Sequence, residues 1–536
     1  MKQRWRRSLI EFFVAVYCGT AVDAEVKPHA LFSEGAVLQQ RVKIPVWGTA
    51  KDGEKVTVEF QKQKLSTIAT NGQWKVVLKP LRAGGPFTLK IQGAGTLVDS
   101  IEKGFLLKIE GDNTIVRTNI FVGEVWVCSG QSNMQMTLGT CANGKEAIAG
   151  SQDPMLRLFT VPRVSSDKPE RDIKSAWEQC GPETVGGFSG VAYYFGRDLR
   201  KALKVPIGLI HSSWGGSPAE TWTSRAGLEQ DPALRSVIEG YEKARQEYAQ
   251  KLEQYTKAER ELKLGYEAAV ETAKAEGKPP PKPPSPPSDP ALNAHRPTAL
   301  YNAMIAPLQP FAIKGAIWYQ GESNAGRAFQ YRTLFPAMIR SWRESWGQGD
   351  FPFLFVQLAP HTRILPEPGE SQWAELREAQ LLTTRTVSKT AMAVITDAGD
   401  ENDIHPKRKE PVGARLALAA RAIAYGERIE YSGPIYDSMK IKADRVRLAF
   451  KHLDGGLIVK GDELKGFTIA GQDKKFMNAK AEVQGNEVVV YSSQITKPVA
   501  VRFGWANYPV VNLYNKAGLP ASPFRTDDFP LTTAPK

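Results

Sequence analysis

Between about residues 120 and 425, apolar runs of strand length alternate with longer segments that have the apolar spacing of helices. The strand-length runs lie at 122–128, 156–161, 207–211, 312–318, 353–358 and 391–396. The helical segments lie at 190–204, 298–307, 328–346, 373–384 and 411–425. Because the short runs are apolar at successive positions, they predict a parallel sheet that helices cover on both faces. Ligands of such folds bind at the carboxyl ends of the strands.

The segments on either side of this region predict β-domains. Residues 28–118 and the residues from about 430 onwards contain short strand-like runs separated by glycine, Asn-Gly and proline turn signals. We therefore expect a small β-sandwich-like domain at 25–118, an α/β domain at 119–428 and a second β-domain at 429–536.

Residues 226–297 interrupt the alternation of strands and helices. From Ile238 to Tyr266, apolar and aromatic residues keep a three- and four-residue spacing within a charged segment. This spacing predicts a long amphipathic helix or a helical hairpin. Residues 279–290 are rich in proline and predict an extended, semi-rigid linker. The default expectation is that this insertion packs on the α/β domain; covering the site or meeting a partner are the alternatives.

The first 24 residues have the features of a secretory signal peptide. A positively charged start is followed by a mostly apolar segment at 8–22 and by small residues, Val22-Asp23-Ala24, at the spacing of a cleavage site. We expect an exported protein, either periplasmic or extracellular. No later stretch is long and apolar enough to predict a membrane span.

The formal charge of the chain is 70 − 57 = +13. Its basic residues are scattered and do not form a stripe interleaved with aromatic residues, so the charge does not predict a nucleic-acid partner. It predicts a solvated basic surface, which would favour the approach of a polyanionic or sialylated substrate.

Of the four cysteines, Cys18 belongs to the predicted signal peptide. Cys141 and Cys180 could pair in an oxidising compartment and leave Cys128 free. The alternative is three buried thiols. No metal-binding motif is present, and neither a metal nor another cofactor is expected.

A serine turn follows the first strand of the α/β region. The apolar run ending at Cys128 is broken by Ser129 and Gly130, and a helix-like segment begins near Ser132. At such a turn the helix dipole and unpaired backbone N–H groups suit a nucleophile and the oxyanion it creates. The alternative is that Ser129 and Ser132 cap the helix, and the turn by itself favours that interpretation. A catalytic role therefore depends on partners elsewhere.

A general base must come from the six histidines of the chain. His405 lies in a polar loop that follows the last predicted strand of the sheet, which suits a base held by a neighbouring carboxylate. Asp403 is the favoured carboxylate, with Asp400 and Asp397 as alternatives. The other interpretation is a loop histidine among carboxylates that cap the next helix.

Two further loops follow predicted strands and offer hydrogen-bond donors for an oxyanion. The first, at 214–220, contains Gly215 and Gly216, whose backbone is unobstructed by side chains. The second, at 318–325, offers the side-chain amides of Gln320 and Asn324. A glycine pair after a strand is more commonly a simple turn, but four polar loops at strand ends form a stronger signal than any one alone.

The motifs in these loops resemble those of the sialate O-acetylesterase family, within the SGNH (GDSL-like) hydrolase superfamily. They are GQSNM at 130–134, WGGSPAE at 214–220, WYQGESNA at 318–325 and DIHP at 403–406. Further similar segments are LFSEGAVLQQ at 31–40, LYNAMIAPL at 300–308 and the tail from 505 to 527. The resemblance covers most of the chain after the signal peptide, apart from about 95–118 and the insertion.

This resemblance implies a flavodoxin-like SGNH domain flanked by β-domains, and metal-free hydrolysis of O-acetyl esters on sugars. It implies that Ser132 is the nucleophile and His405 the base. The glycine of the oxyanion hole is Gly216, or else Gly215, and the amide is Gln320, with Asn324 beside it.

The family's last motif commonly has the form Asp-x-x-His, but Asn402 occupies the aspartate position here. This departure leaves either Asp403 as the orienting carboxylate or a Ser–His dyad that Asp403 assists weakly.

The expected partner is an O-acetylated sugar or glycan. The alternatives are an esterase for acetylxylan or another polysaccharide, and a non-catalytic carbohydrate-binding protein. An ordinary α/β-hydrolase is disfavoured because the G-x-S-x-G motif is absent.

Overall fold

The computed structural model describes residues 26–94 and 113–535, so the predicted signal peptide at 1–24 lies outside the described residues. The N-terminal strands are β1 (Lys27–Pro28), β2 (Val37–Gln39), β3 (Ile44–Thr49), β4 (Lys55–Phe60), β5 (Gln63–Ile68), β6 (Gln73–Leu78), β7 (Gly84–Ala94) and β8 (Thr114–Gly130). β1, β3 and β6 form one antiparallel sheet, and β5, β4 and β7 lead into β8. Alternate residues of β4 and β6 are buried, as in a sandwich.

Strand β8 belongs to two parts of the molecule. Its first half pairs with β7, and its residues alternate between exposed and half-buried positions up to Asn119. From Ile120 to Gly130 every residue is buried. The predicted boundary between residues 118 and 119 therefore falls inside one strand, and the N-terminal domain continues directly into the central sheet.

The remaining strands of the central sheet are β9 (Asp153–Thr160), β10 (Trp177–Cys180), β11 (Ile207–Ser213), β12 (Gly315–Tyr319), β13 (Phe353–Val356) and β14 (Thr390–Ala393). The spatial order is β10-β9-β11-β8-β12-β13-β14, and only β10 is antiparallel within this row. The five strands from β11 to β14 have the flavodoxin-like order 2-1-3-4-5, with β8 as strand 1. The predicted fold class is confirmed, with β9 and β10 added at one edge.

The helices are α1 (Ser132–Gln135), α2 (Gly144–Ala149), α3 (Gly190–Leu203), α4 (Arg225–Glu229), α5 (Pro232–Ala275), α6 (Ala328–Trp346), α7 (Gln372–Thr386) and α8 (Glu410–Tyr425). Helices α3 and α8 pack on the sheet face that carries Ile317 and Tyr319. Helices α6 and α7 pack on the opposite face, which carries Ala316 and Trp318. Successive strand residues point to opposite faces, so continuous apolar runs are required to fill both layers.

Strands β11, β8 and β12 end at the same level. Gly130 is the register partner of both Ser213 and Tyr319. At Gly130 φ is +141°, and a Cβ atom there would lie 2.1 Å from Tyr319 O, so only glycine fits. The loops after these three strands consequently leave the sheet side by side.

The insertion is one 44-residue helix, α5, followed by a proline-rich return, and not a helical hairpin. Asp231 caps the helix by accepting a hydrogen bond from Ala233 N at 3.0 Å. Only Leu234 and Ile238 of α5 are buried, so the helix packs on the α/β domain at its first turns. The return runs back along the helix, where Tyr255 OH donates to Pro284 O at 3.5 Å.

The predicted helix at 298–307 is shorter in the structure. It consists of a π-helical turn, Tyr301–Ile305, and a 3-10 turn, Ala306–Leu308. Pro307 has no N–H to donate to the preceding turn, so the segment cannot continue as a regular α-helix at this position.

The C-terminal strands are β15 (Ile435–Lys442), β16 (Arg445–Lys451), β17 (Leu457–Val459), β18 (Phe467–Ala470), β19 (Phe476–Asn478), β20 (Lys480–Gln484), β21 (Glu487–Tyr491), β22 (Ala500–Phe503), β23 (Leu513–Asn515) and β24 (Phe524–Arg525). They form two four-stranded antiparallel sheets and the β17–β23 pair. Arg377 of α7 fastens this domain to the α/β domain, because its buried guanidinium donates to Ala506 O at 2.7 Å and Asn507 O at 2.9 Å.

Cys128, Cys141 and Cys180 are all free and buried, so the interpretation with three thiols is the correct one and the Cys141–Cys180 disulfide is absent. Burial raises the pKa of each thiol.

Within residues 26–94 and 113–535, no helix combines the length and apolar character needed to cross a bilayer. The same ranges contain no group of three or more His, Cys, Asp or Glu side chains placed to hold a metal ion.

Candidate active site

Ser132 is the first residue of α1, directly after the buried end of β8. Its N–H group has no intrahelical acceptor, as is usual at the start of a helix. Gln131 holds this turn against the loop after β12: its N–H donates to Tyr319 O at 3.0 Å, and its Oε1 accepts from Gly321 N and Ser323 N, both at 3.3 Å. Ser132 is half-buried.

Ser129 lies in a different environment from Ser132. It is fully buried within β8, and its hydroxyl has no hydrogen-bond partner among the described residues. A substrate cannot reach it without opening the sheet. Of the two serines in the turn, Ser132 is the one placed to react.

The glycine loop after β11 lies against Ser132. Trp214 N donates to Gly130 O at 3.2 Å, and a Cβ atom at Gly215 would be 3.2 Å from the Ser132 Cβ. The Gly215 N–H is occupied, because it donates to Gln135 Oε1 at 2.6 Å. The Gly216 N–H has no acceptor among the described residues, and its φ of +74° favours glycine.

Hydrogen bonds of the Gln320 and Asn324 amides join the loop after β12 to the glycine loop after β11. Gln320 Nε2 donates to Ser217 O at 3.3 Å and to Asn324 Oδ1 at 2.6 Å. Asn324 Oδ1 also accepts from Ala219 N at 2.8 Å, and its Nδ2 donates to Glu220 Oε2 at 3.0 Å. Both hydrogens of the Gln320 amide are therefore used within the protein. Donation to an oxyanion by either amide stays a prediction.

His405 lies on the loop between β14 and α8, with 40% of its side chain exposed. Its Nδ1 is 3.4 Å from Asp403 Oδ1, the same oxygen that accepts the His405 backbone N–H at 2.8 Å. That backbone hydrogen bond is the largest of several effects that lower the pKa of Asp403. Asp403 is itself 44% exposed, so solvent weakens its interaction with the ring.

The other two carboxylates have different partners. Asp397 forms a bidentate ion pair with Arg415, at 2.6 and 2.7 Å, and despite burial this pairing lowers the pKa of Asp397. Asp400 Oδ1 accepts from the backbone N–H groups of Asn402 and Asp403, at 2.9 and 3.3 Å. Of the three candidates, Asp403 is the one that contacts the His405 side chain in the described part of the chain.

The serine and histidine segments are joined through Asn133. In the described residues no hydrogen bond links Ser132 Oγ to the His405 ring. One residue away, Asn133 Nδ2 donates to Ile404 O at 3.0 Å and to Glu322 Oε1 at 2.5 Å. Lys409 Nζ donates to Asn133 Oδ1. Catalytic hydrogen bonds are often long before substrate binds, so this arrangement is compatible with a Ser–His pair.

Sequence reasoning missed Asn133, Glu322 and Lys409 as members of the site. The first two lie inside quoted motifs, and a polar residue directly after a buried strand was the available signal. Lys409 gave no signal, since an isolated lysine is usually solvated; here it is fully buried. Burial lowers the pKa of Lys409 to about 8.

His295 also lies beside the site, although its sequence position next to the proline-rich linker gave no indication of it. Its ring meets Trp214 edge-on at a centroid distance of 5.5 Å, and its Cε1 is 3.6 Å from the position a Cβ would take on Gly216. Burial lowers the pKa of His295. The chain that follows the proline-rich segment therefore contacts the glycine loop of the candidate site. By contrast, His211 is buried in β11, where Nε2 lies 2.6 Å from Ser213 Oγ.

A flavodoxin-like sheet with a serine turn, a glycine loop and a histidine loop at its carboxyl end defines the protein as an esterase with an α/β fold. A family model described as "Carbohydrate esterase, sialic acid-specific acetylesterase" matches residues 291–422. The mouse sialate O-acetylesterase is 30% identical over 527 residues, which is 89% of this chain and 90% of the mouse protein. The chain therefore belongs to the sialate O-acetylesterase family, as its motifs predicted.

Other relatives agree with this assignment. The human sialate O-acetylesterase is 29% identical over 522 residues, covering 89% of this chain and 88% of the human protein. The crystal structure of a carbohydrate acetylesterase from Xanthomonas citri matches with a TM-score of 0.77 and 36% identity, over 94% of this chain and 100% of that one. The similarity thus includes the flanking β-domains as well as the α/β core.

Replacing Gly215 with alanine should displace Ser132. The new Cβ would lie 3.2 Å from the Ser132 Cβ and 3.3 Å from Gln135 Oε1, which is closer than ordinary packing allows. We expect kcat on 4-nitrophenyl acetate to fall by about 10- to 100-fold, because small misplacements of reacting groups are costly. The matched control is Gly187→Ala, whose Cβ would meet no atom within 4 Å. Equal rates for the two variants would contradict the placement of this loop.

Proposed function

We propose that the protein is a serine esterase that removes O-acetyl groups from sugars, with O-acetylated sialic acid as the first choice of substrate. The observation that carries this proposal is the convergence of two loops on the serine turn: the Gly215 backbone packs against Ser132, and Asn133 links its helix to the His405 loop. Family membership supplies the chemical class of the reaction.

In the proposed mechanism, Ser132 Oγ attacks the acetyl carbonyl carbon while its proton passes to His405. The oxyanion accepts hydrogen bonds from the Ser132 and Gly216 N–H groups, with Gln320 or Asn324 as the further donor. His405 then gives the proton to the departing sugar oxygen, which leaves an acetyl-serine. Water attacks this ester with His405 as base, and acetate and free Ser132 result. Asp403 orients the imidazole.

The decisive variant is Ser132→Ala. We expect kcat on 4-nitrophenyl acetate to fall by roughly 10⁴-fold or more, because the acyl-enzyme can no longer form. Ser129→Ala is the matched control, since it removes a buried hydroxyl that contacts no substrate. A Ser132→Ala protein with wild-type turnover would refute the assignment of the nucleophile.

A second candidate function is deacetylation of acetylxylan or another neutral polysaccharide. It is favoured by the Xanthomonas citri relative, which is described only as a carbohydrate acetylesterase. The formal charge of +13 favours an anionic sugar, because a basic surface attracts sialylated glycans. A non-catalytic carbohydrate-binding role is the alternative from another class; release of acetate from any acetylated glycan excludes it.

The substrates can be separated by measuring acetate release from O-acetylated sialic acids, acetylxylan and simple acetylated sugars. We expect the highest kcat/KM on the sialic acids. We also expect kcat/KM on the sialic acids, but not on acetylxylan, to fall between about 0.01 and 1 M salt, since salt screens attraction to an anionic substrate. Activity confined to acetylxylan would overturn the sialate assignment.

We also propose that the protein is exported, on the basis of the charged, apolar and small-residue pattern of its first 24 residues. Sequencing the N-terminus of the protein recovered from outside the cytoplasm should give a chain that begins at Glu25. Recovery of an uncleaved chain from the cytoplasm alone would contradict export.

A further inference from the structure

A buried polar cluster formed by Asn133, Glu322 and Lys409 lies behind Ser132, and the mechanism above gives it no role. Its members come from three segments: the start of α1, the turn after β12 and the start of α8. Asn133 and Lys409 are both 0% exposed, and Glu322 is half-buried with its Oε2 shielded from solvent. The Asn133 Nδ2 group donates to Glu322 and to Ile404 O, and its Oδ1 accepts from Lys409. Every polar atom of the amide is therefore engaged, and its orientation is fixed.

The cluster places a carboxyl group and an ammonium group on the two sides of one amide. The pKa of Glu322 is raised, because burial outweighs the hydrogen bond from Asn133 and the positive charges of Lys409 and His405, which lower it. Burial lowers the pKa of Lys409 to about 8, and its ammonium group also lies 5.1 Å from the centre of the Tyr319 ring. A cation in this position offsets part of the effect of burial on the pKa of Glu322.

One oxygen of Glu322 lacks a donor. Oε1 accepts from Asn133, but Oε2 is shielded from solvent and has no hydrogen-bond partner among the described residues. An unpaired carboxylate oxygen in a buried place is unfavourable unless a positive group lies nearby. The imidazolium that forms when His405 takes the serine proton is such a group.

Asp403 alone is poorly suited to stabilise the protonated form of His405. It is 44% exposed, it is 3.4 Å from the imidazole, and its nearer oxygen is shared with the His405 backbone N–H. Charge interactions in water-exposed positions are weak, whereas those in a buried cluster are screened much less. The carboxyl groups that interact electrostatically with His405 are Asp403 on its own loop and Glu322 on the turn after β12. Lys407 interacts with Asp403, and Lys409 at the start of α8 interacts with both carboxyl groups.

We propose that Glu322 is the principal positioning carboxylate of this active site, acting on His405 through Asn133 and stabilising its protonated form from the buried side. This inference rests on the proposed Ser132–His405 mechanism. It assigns Asn133 the task of fixing the Ile404–His405 backbone against the helix of Ser132. It assigns Lys409 the task of keeping Glu322 ionised.

The test compares the same chemical change at the two carboxylates, Glu322→Gln and Asp403→Asn, by recording kcat/KM on 4-nitrophenyl acetate against pH. Loss of a buried negative charge destabilises the protonated base, so the acidic limb of the Glu322→Gln profile should move to lower pH by roughly one unit. We expect kcat to fall about 10- to 100-fold with KM within about twofold. Asp403→Asn should move the limb by less than half as much. A purely structural role for Glu322 would lower the rate without moving the limb.

Two further variants complete the comparison. Glu322→Asp keeps the charge and should return the limb to its wild-type position. Glu401→Gln removes an exposed carboxylate from the same loop as His405 and should leave the limb in place. An unmoved limb in folded Glu322→Gln, or a larger shift in Asp403→Asn, would overturn the proposal.

Folding is checked by near-ultraviolet circular dichroism and thermal unfolding. If Glu322→Gln does not fold, Asn133→Ser decides, because it removes the link to Ile404 O and leaves both charges. A fall in kcat of at least about tenfold in that variant supports the proposal, and wild-type kcat refutes it. Ser132→Ala is assayed in parallel: if it stays active, the serine mechanism itself has failed, whatever the carboxylate variants show.

Discussion

The parallel pairing of β8 with β11 and β12 is the constraint on which the site depends. Backbone hydrogen bonds fix the register, so that Gly130, Ser213 and Tyr319 lie side by side at the carboxyl edge. The close approach of Gly130 to Tyr319 O leaves no room for a side chain. Three loops that are far apart in the sequence therefore start from nearly one point, and their polar groups need to extend only a few residues to meet.

The same strand also explains why the N-terminal domain cannot be separated cleanly from the catalytic one. β8 pairs antiparallel with β7 before it enters the parallel sheet, and Glu124 on it accepts hydrogen bonds from Gln39 and Gln40, at 2.8 and 2.6 Å. Ser132, the proposed nucleophile, is thus anchored by a strand that both domains stabilise. In this arrangement the N-terminal domain supports the catalytic sheet and is more than an appended module.

Features governed by local patterns were predictable from the sequence. Helix α6 was predicted at 328–346 and is Ala328–Trp346, because its apolar spacing is continuous. Strand β5 carries a weaker sequence signal, since only Leu65 and Ile68 are apolar in it and none of its residues is buried. The first half of β8 was missed for the same reason: its alternating, partly exposed residues lack the continuous apolar run that marked the second half.

The site was predictable only in part. Ser132, His405 and the glycine loop could be proposed as site residues because each follows a strand and carries a recognisable residue type, and their catalytic roles stay predictions. The contacts of Asn133 with Glu322, Ile404 and Lys409 join positions 189 to 276 residues apart, and no local pattern encodes such distances. His295 was missed for a related reason, because the 44-residue α5 and its proline-rich return separate it in sequence from the loop it meets in space.

A buried lysine and a half-buried glutamate beside the proposed nucleophile need a physical justification, because desolvation of two charges usually costs more than their attraction returns. Apolar residues of similar size would fill this space with less loss of hydration. Apolar side chains would not provide a fixed electrostatic field at His405, where positive charge develops during the proposed reaction. A carboxylate already oriented by Asn133 needs no rearrangement when that charge appears, whereas solvent around the exposed Asp403 must reorient. The cluster thus lowers the folding stability but preorganises the charges around His405. This is the pattern expected of a buried polar network that contributes to catalysis and not to core packing.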